Sequence, residues 1–172
     1  MAFVRVKKIK GKEYAYLVEN RWKNKSSRQK VTGYLGRVVR LVLEQETDFF
    51  SRYAIDDKEQ FLKSVSKHEL LRKIVQNELS NHGFSDGEDA QMRWNDVVVD
   101  LNARTVGRNK TKVTLGMREG FLADMTLKLL LDFNETGSQA ELSLKLAKAF
   151  VEAGIKVDEE LFVSVYEKLL VN

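Results

Sequence analysis

The chain has 172 residues with 43% hydrophobic and 31% charged side chains, and no cysteine or proline. That length builds one compact domain or two small ones around a real core; the lack of cysteine excludes a disulfide framework, a thiolate metal site and a Cys nucleophile. The net charge of +4 hides a segregation: residues 1–40 carry twelve Lys/Arg against two Glu, net +10, and the following blocks 41–92, 93–118 and 119–172 carry −5, +4 and −5. Charge separated on this scale speaks of partners rather than of fold.

The opening MAFVRVKKIK has no apolar run of signal-peptide length, and no later run approaches the roughly 18 residues that span a bilayer. A reducing, cytoplasmic setting without membrane contact is the expectation.

In the first block Tyr14, Tyr16, Val18 and Trp22 take one parity, and Ala15 and Leu17 the other. This period of two predicts a strand. It is preceded by a strand over residues 3–9 with a turn at Gly11-Lys12. A second turn at KNKSS leads to a third strand near residues 28–35, where Gly33 and Gly36 mark a kink or an end. Strict alternation places Arg28, Lys30, Thr32 and Tyr34 on one face and Gln29, Val31 and Leu35 on the other. The first 42 residues thus form a basic three-stranded antiparallel meander.

Residues 43–84 switch to helical spacing. Phe61, Leu62 and Val65 predict a helix starting near Asp56 or Asp57. Ser66 and Glu69 form a capping-box pattern ahead of the stripe Leu70, Leu71, Ile74, Val75 and Leu79. Gly83 follows as a stop signal. The polar stretch SDGEDA, residues 85–90, is the expected boundary between halves.

Residues 91–172 read as a β-hairpin followed by three helices. One strand covers residues 94–101, a turn lies at 107–109, and TKVTLGM supplies the second strand. Residues 121–133 read as a helix with Leu122, Met125, Leu129 and Leu130 inward. Ser138 and Glu141 open the next helix, which ends near Gly154, and Asp158 caps the last. The fold class is α+β: basic meander, helical segment, hairpin, helical segment.

Twelve cations interleaved with aromatics on 40 residues exceed what solubility requires. The candidate nucleic-acid contacts are Arg5, Lys7, Lys8, Arg21, Arg28, Lys30 and Arg37, with Tyr14, Tyr16, Trp22 and Tyr34. A twisted sheet or ribbon of this kind grips duplex phosphates. The aromatics alternatively stack on the bases of a single strand, or form the core of a small sheet resting on the helix at 66–80. The hairpin tip adds Arg104, Arg108 and Lys110 as a second phosphate finger. Self-association or an acidic protein partner is the competing use of the basic face.

The segments Val4-Arg5-Val6, Tyr14-Ala15-Tyr16-Leu17-Val18-Glu19, Arg28-Gln29-Lys30-Val31 and Tyr34-Leu35-Gly36 resemble the amino-terminal leader module of insertion-sequence transposases. The whole chain looks similar to an uncharacterised archaeal protein family. The leader resemblance implies a nucleic-acid-associated origin for the module and inclines the expectation towards DNA over RNA. The residues beyond 40 do not accommodate the RNase H-like catalytic domain of such transposases. No catalytic residue is therefore carried over.

Asp96 and Asp100 raise a metal-dependent nuclease as a further alternative. At a spacing of four along a strand they stand about 13 Å apart, too far to share one ion without Asp124 or Asp132. His68 and His82 lie at a cap and a helix stop, without a partner at metal-ligand spacing. The expectation is a non-enzymatic protein with no cofactor.

Overall fold

A computed structural model describes residues 2–23 and 26–170. The fold is α+β. The elements in chain order are β1 (Ala2–Ile9), β2 (Lys12–Lys23), β3 (Ser26–Arg40), α1 (Phe49–Arg52), α2 (Lys58–Ser64), α3 (Lys67–Asn81), β4 (Ser85–Asp86), β5 (Gln91–Trp94), β6 (Val97–Asp100), β7 (Thr105–Arg108), β8 (Thr111–Gly116), β9 (Phe121–Leu122), α4 (Asp124–Leu131), α5 (Gln139–Ala153) and α6 (Glu159–Leu170).

The expected antiparallel meander is present as β1–β2–β3. Its first turn sits at Lys10-Gly11, both with positive φ (48° and 76°), which matches the twist of a two-residue hairpin. The expected second turn, at KNKSS, falls on Asn24 and Lys25, which lie outside the described residues. β3 runs through Gly33 and Gly36 to Arg40, longer than its sequence pattern predicts.

Residues 37–40 of β3 pair in parallel with 113–116 of β8, giving the strand order β1-β2-β3-β8-β7-β6-β5-β4 with β9 on β8. Gly36 makes this junction sterically allowed. Its φ is +100°, and a Cβ there would lie 2.2 Å from the Lys112 carbonyl oxygen.

The expected second strand is β8. Its hairpin partner is β7, which lies in the stretch expected to connect and turn, and Asn109 and Lys110 close the hairpin in left-handed conformations. The expected first strand, 94–101, falls instead on the end of β5 and on β6. The sheet continues from the hairpin by three more strands, β6, β5 and β4. Asn95, at φ 51°, turns the chain between β5 and β6 inside the stretch that reads as one strand by composition.

One hydrophobic core, from Phe49 to Val165, includes residues on both sides of the polar stretch 85–90. Met92, Val97, Val99, Val106, Val113 and Leu115 alternate into it, with Leu70, Leu71, Ile74, Leu127, Leu146 and Leu161 among the helical residues they join. Arg93, Val98, Gly107 and Lys112 alternate to the opposite side and keep solvent contact.

Ser66 and Ser138 cap α3 and α5 through the amides of Glu69 and Glu141, and Gly154 ends α5 in the left-handed conformation. In α4 the inward residues are Leu127, Leu130 and Leu131, while Leu129 is exposed. The expected helix start at residue 121 is instead β9, which moves the stripe by a fraction of a turn. Among the described residues, no helix is long and apolar enough to cross a membrane.

Candidate nucleic-acid interface

The meander leaves the body through β3. No described residue of β1 or β2 belongs to the hydrophobic core, so the aromatics do not form a core resting on α3. Each face of the sheet is therefore defined by its own cross-strand pairs.

Two β-bulges decide which residues share a face. The β2 partners of β3 step from Ala15↔Gly36 to Tyr16↔Tyr34, passing over Leu35, and from Leu17↔Gly33 to Val18↔Val31, passing over Thr32. Each extra residue inverts the alternation beyond it. Strict alternation joins Tyr34 to Arg28 and Lys30; the bulge at Thr32 separates them.

Tyr34 instead shares a face with Tyr14, Tyr16, Trp22 and Arg37, and through β1 with Arg5 and Lys7. The opposite face carries Lys8, Arg21, Arg28 and Lys30 around Ala15, Gly33 and Gly36. All seven candidate cations of the meander are exposed.

On the tyrosine face the Tyr16 and Tyr34 ring centroids are 5.5 Å apart at an interplanar angle of 54°. Lys7 Nζ stands 5.3 Å from the Tyr16 ring centre. Arg5 donates a hydrogen bond to the Gln29 side-chain oxygen across β2. Desolvation, followed by the neighbouring Tyr16 and Tyr14, pushes the Tyr34 phenol above its ordinary value. The ring stays neutral through physiological pH. Tyr34 remains 56% exposed and Trp22, near the end of the ribbon, 80%.

Ten meander cations have described side chains. Among the described residues only two of them form salt bridges, Arg21 with Glu19 at 3.8 Å and Arg40 with Glu13 at 2.9 Å. Both carboxylates lie in the meander itself. The Arg40 guanidinium engages both Glu13 oxygens and holds that carboxyl below its ordinary value. No meander cation among the described residues pairs with the acidic helices.

The second basic group is arranged differently. Arg104 Nη2 lies 2.6 Å from Asp132, Arg108 Nε 2.9 Å from Asp96 and Lys112 Nζ 2.9 Å from Asp124. The Arg108 Nε contact is not aligned as a hydrogen bond. Lys110 alone of the three candidates stands exposed, on the β7–β8 turn. The carboxylates that neutralise Arg104 and Lys112 come from the C-cap and the first residue of α4, which the spacing of the basic residues did not reveal.

Asp100 accepts from the amides of Asn102 and Ala103 and from Gln91, and these bonds, Ala103 foremost, hold its carboxyl below the ordinary value. It stabilises the turn after β6, while Asp96 is drawn to Arg108. Among the described residues, no three His, Asp or Glu side chains converge as a metal-binding group.

His68 is exposed in an open cleft between α2, α3 and α6, shared with Glu59, Lys63, Glu160 and Lys168. His82 is the C-cap residue of α3, as its place at the helix stop implies, but it is 2% exposed rather than on the surface. Its Nδ1 lies 2.9 Å from the Glu78 carbonyl oxygen and 3.6 Å from the Glu78 carboxylate, itself buried. Desolvation pushes Glu78 above its ordinary value, against the opposing pull of His82, Arg118 and Lys156. Paired burial at i and i+4 carries no composition signal.

No protein-family model, curated protein or solved structure matches the chain.

Proposed function

We propose that the protein is a non-enzymatic nucleic-acid-binding protein that contacts the phosphate backbone through its basic β-meander. One observation carries this reading: among the described residues, the cations of the meander have no acidic partner outside the meander, whereas Arg104, Arg108 and Lys112 are each met by a carboxylate. Internal neutralisation accounts for the second group and leaves the first unexplained. Unpaired cations on a sheet free of helical cover repel one another until a polyanion meets them, and phosphate contacts then release condensed counterions.

Arg28, Lys30, Arg21 and Lys8 supply the contacts of one face, and Arg5, Lys7 and Arg37 those of the other. Of the three candidates on the body, Lys110 alone is free to contribute, since Arg104 and Arg108 would have to leave their carboxylates. DNA is the first polymer to test, because the leader that the meander resembles belongs to proteins that act on DNA.

The test is equilibrium binding of the full chain to labelled DNA and RNA at low salt. On duplex DNA the double variant Arg28→Glu/Lys30→Glu is expected to lose most affinity, while Lys145→Gln on α5 keeps it. Loss of affinity in Lys145→Gln alone, or no binding by the wild type, refutes the reading. Salt-sensitive self-association without affinity for either polymer assigns the basic face to an acidic protein surface instead.

A further inference from the structure

Building on that reading, we propose that the tyrosine-bearing face of the meander takes the unpaired bases of a single-stranded nucleic acid. The bulges at Thr32 and Leu35 bring onto one face residues that strict alternation would separate. From the body outwards the face carries Arg37 with Tyr14 and Lys7, Tyr34 with Tyr16 and Arg5, Val31 with Val18 and Phe3, Gln29 with Asn20, and Ser27 with Trp22. Five rows at the strand repeat span about 27 Å. Aromatic rings occupy four of the five, and cations flank the two nearest the body.

Exposure separates this arrangement from a miniature core. Val18 is covered to 1%, so part of the face does bury its centre. Trp22 at 80% exposure and Tyr34 at 56% cover little, and both leave ring surface open to a ligand. Solvent-exposed rings on a face that also carries cations are the form that base-stacking platforms take, since every base presents a π-face whatever its sequence.

Width decides between duplex and single strand. The duplex major groove, about 12 Å across, admits a helix or a two-stranded ribbon. Only residues 20–23 and 26–29 form such a ribbon, because β1 pairs with β2 no further than Glu19. Tyr16 and Tyr34 sit where the sheet is three strands wide, with Arg5 and Lys7 reaching beyond β2. A groove cannot take in that part, whereas a flexible strand lies across it with its bases towards the rings and its phosphates against Arg5, Lys7 and Arg37. The opposite face has no aromatic among its paired positions and presents Gly33 and Gly36 instead, so phosphate contact alone would not call for the tyrosines.

The full chain is titrated with a dye-labelled oligo-dT strand, the same strand annealed to oligo-dA, and an oligo-rU strand, at equal phosphate concentration and fixed salt. The strands alone are expected to bind at least about tenfold tighter than the duplex. Tyr34→Ala and Trp22→Ala each weaken strand binding about tenfold with little effect on the duplex, and Tyr34→Phe, which keeps the ring, binds as wild type. A preference for either sugar supports the inference equally. Duplex binding as tight as strand binding, or equal losses on both by the alanine variants, overturns it and leaves phosphate binding standing. Absence of binding to every probe at low salt overturns the underlying reading as well.

Discussion

Tyr34 faces Tyr16 across the β2–β3 ladder with 5.5 Å between ring centroids, on the side of the sheet opposite Arg28 and Lys30. This pairing exists because β3 contains one residue too many between Gly33 and Val31. If the pair is a surface feature rather than a core, Tyr34→Ala leaves stability within about 1 kcal/mol of wild type. A buried aromatic would cost about 3–5 kcal/mol on the same truncation. Urea unfolding distinguishes the two.

The meander's attachment to the body is expected to fail at Gly36. Alanine there meets the Lys112 carbonyl oxygen at 2.2 Å and must also hold φ near +100°. The β3–β8 pairing then shifts or breaks, at a cost of about 2 kcal/mol or more. Hydrogen exchange should show the loss at residues 37–40 and 113–116, with α3 and α5 protected as before.

Glu78 predicts a pH-dependent stability. Its carboxyl is raised in the folded chain by desolvation, so the folded state holds this proton more tightly than the unfolded one. The stabilising contribution is complete below the unfolded value, about 4.3, and is lost as pH rises through the raised folded value. Glu78→Gln, which cannot ionise, is therefore expected to raise the melting temperature at neutral pH. The gain should fade as the pH approaches 4. A gain that is constant with pH contradicts this account.

Tyr53 donates its hydroxyl to the Lys73 carbonyl at 3.0 Å, and desolvation pushes its phenol up to about 12. Its contribution is complete below the ordinary value near 10 and lost as pH rises through 12. Tyr53→Phe is expected to cost about 1 kcal/mol at neutral pH, a deficit that shrinks and reverses under strongly alkaline conditions. Denaturant midpoints at neutral and alkaline pH check it.

At the other end of α3, Ser66 accepts the Glu69 amide at 3.2 Å. Ser66→Ala removes this cap and is expected to lower stability by about 1 kcal/mol in urea unfolding.

Local signals in the sequence led to correct local structure. The alternation of Tyr14, Tyr16 and Val18, the caps at Ser66 and Ser138, and the stop at Gly154 depend on residues within a few positions of one another. The bulges at Thr32 and Leu35 depend on how β2 and β8 hold β3, and alternation alone cannot show them, although Gly33 and Gly36 mark the region. The pairing of Arg104 with Asp132 joins residues brought together only by the packed body, so the charge count around the second basic group exaggerated its freedom. Asn95 turned the chain inside an apolar run because a left-handed residue leaves no trace in hydropathy.

The central claim is that the meander's cations are held for a polyanion. Affinity of the full chain for labelled duplex DNA, measured across a salt series, tests it most directly. Neutralising four to six phosphates gives a slope of log K against log salt of about −3 to −5. Arg28→Gln/Lys30→Gln reduces that magnitude by about 1–2. A slope near zero, or no binding at low salt, contradicts the claim.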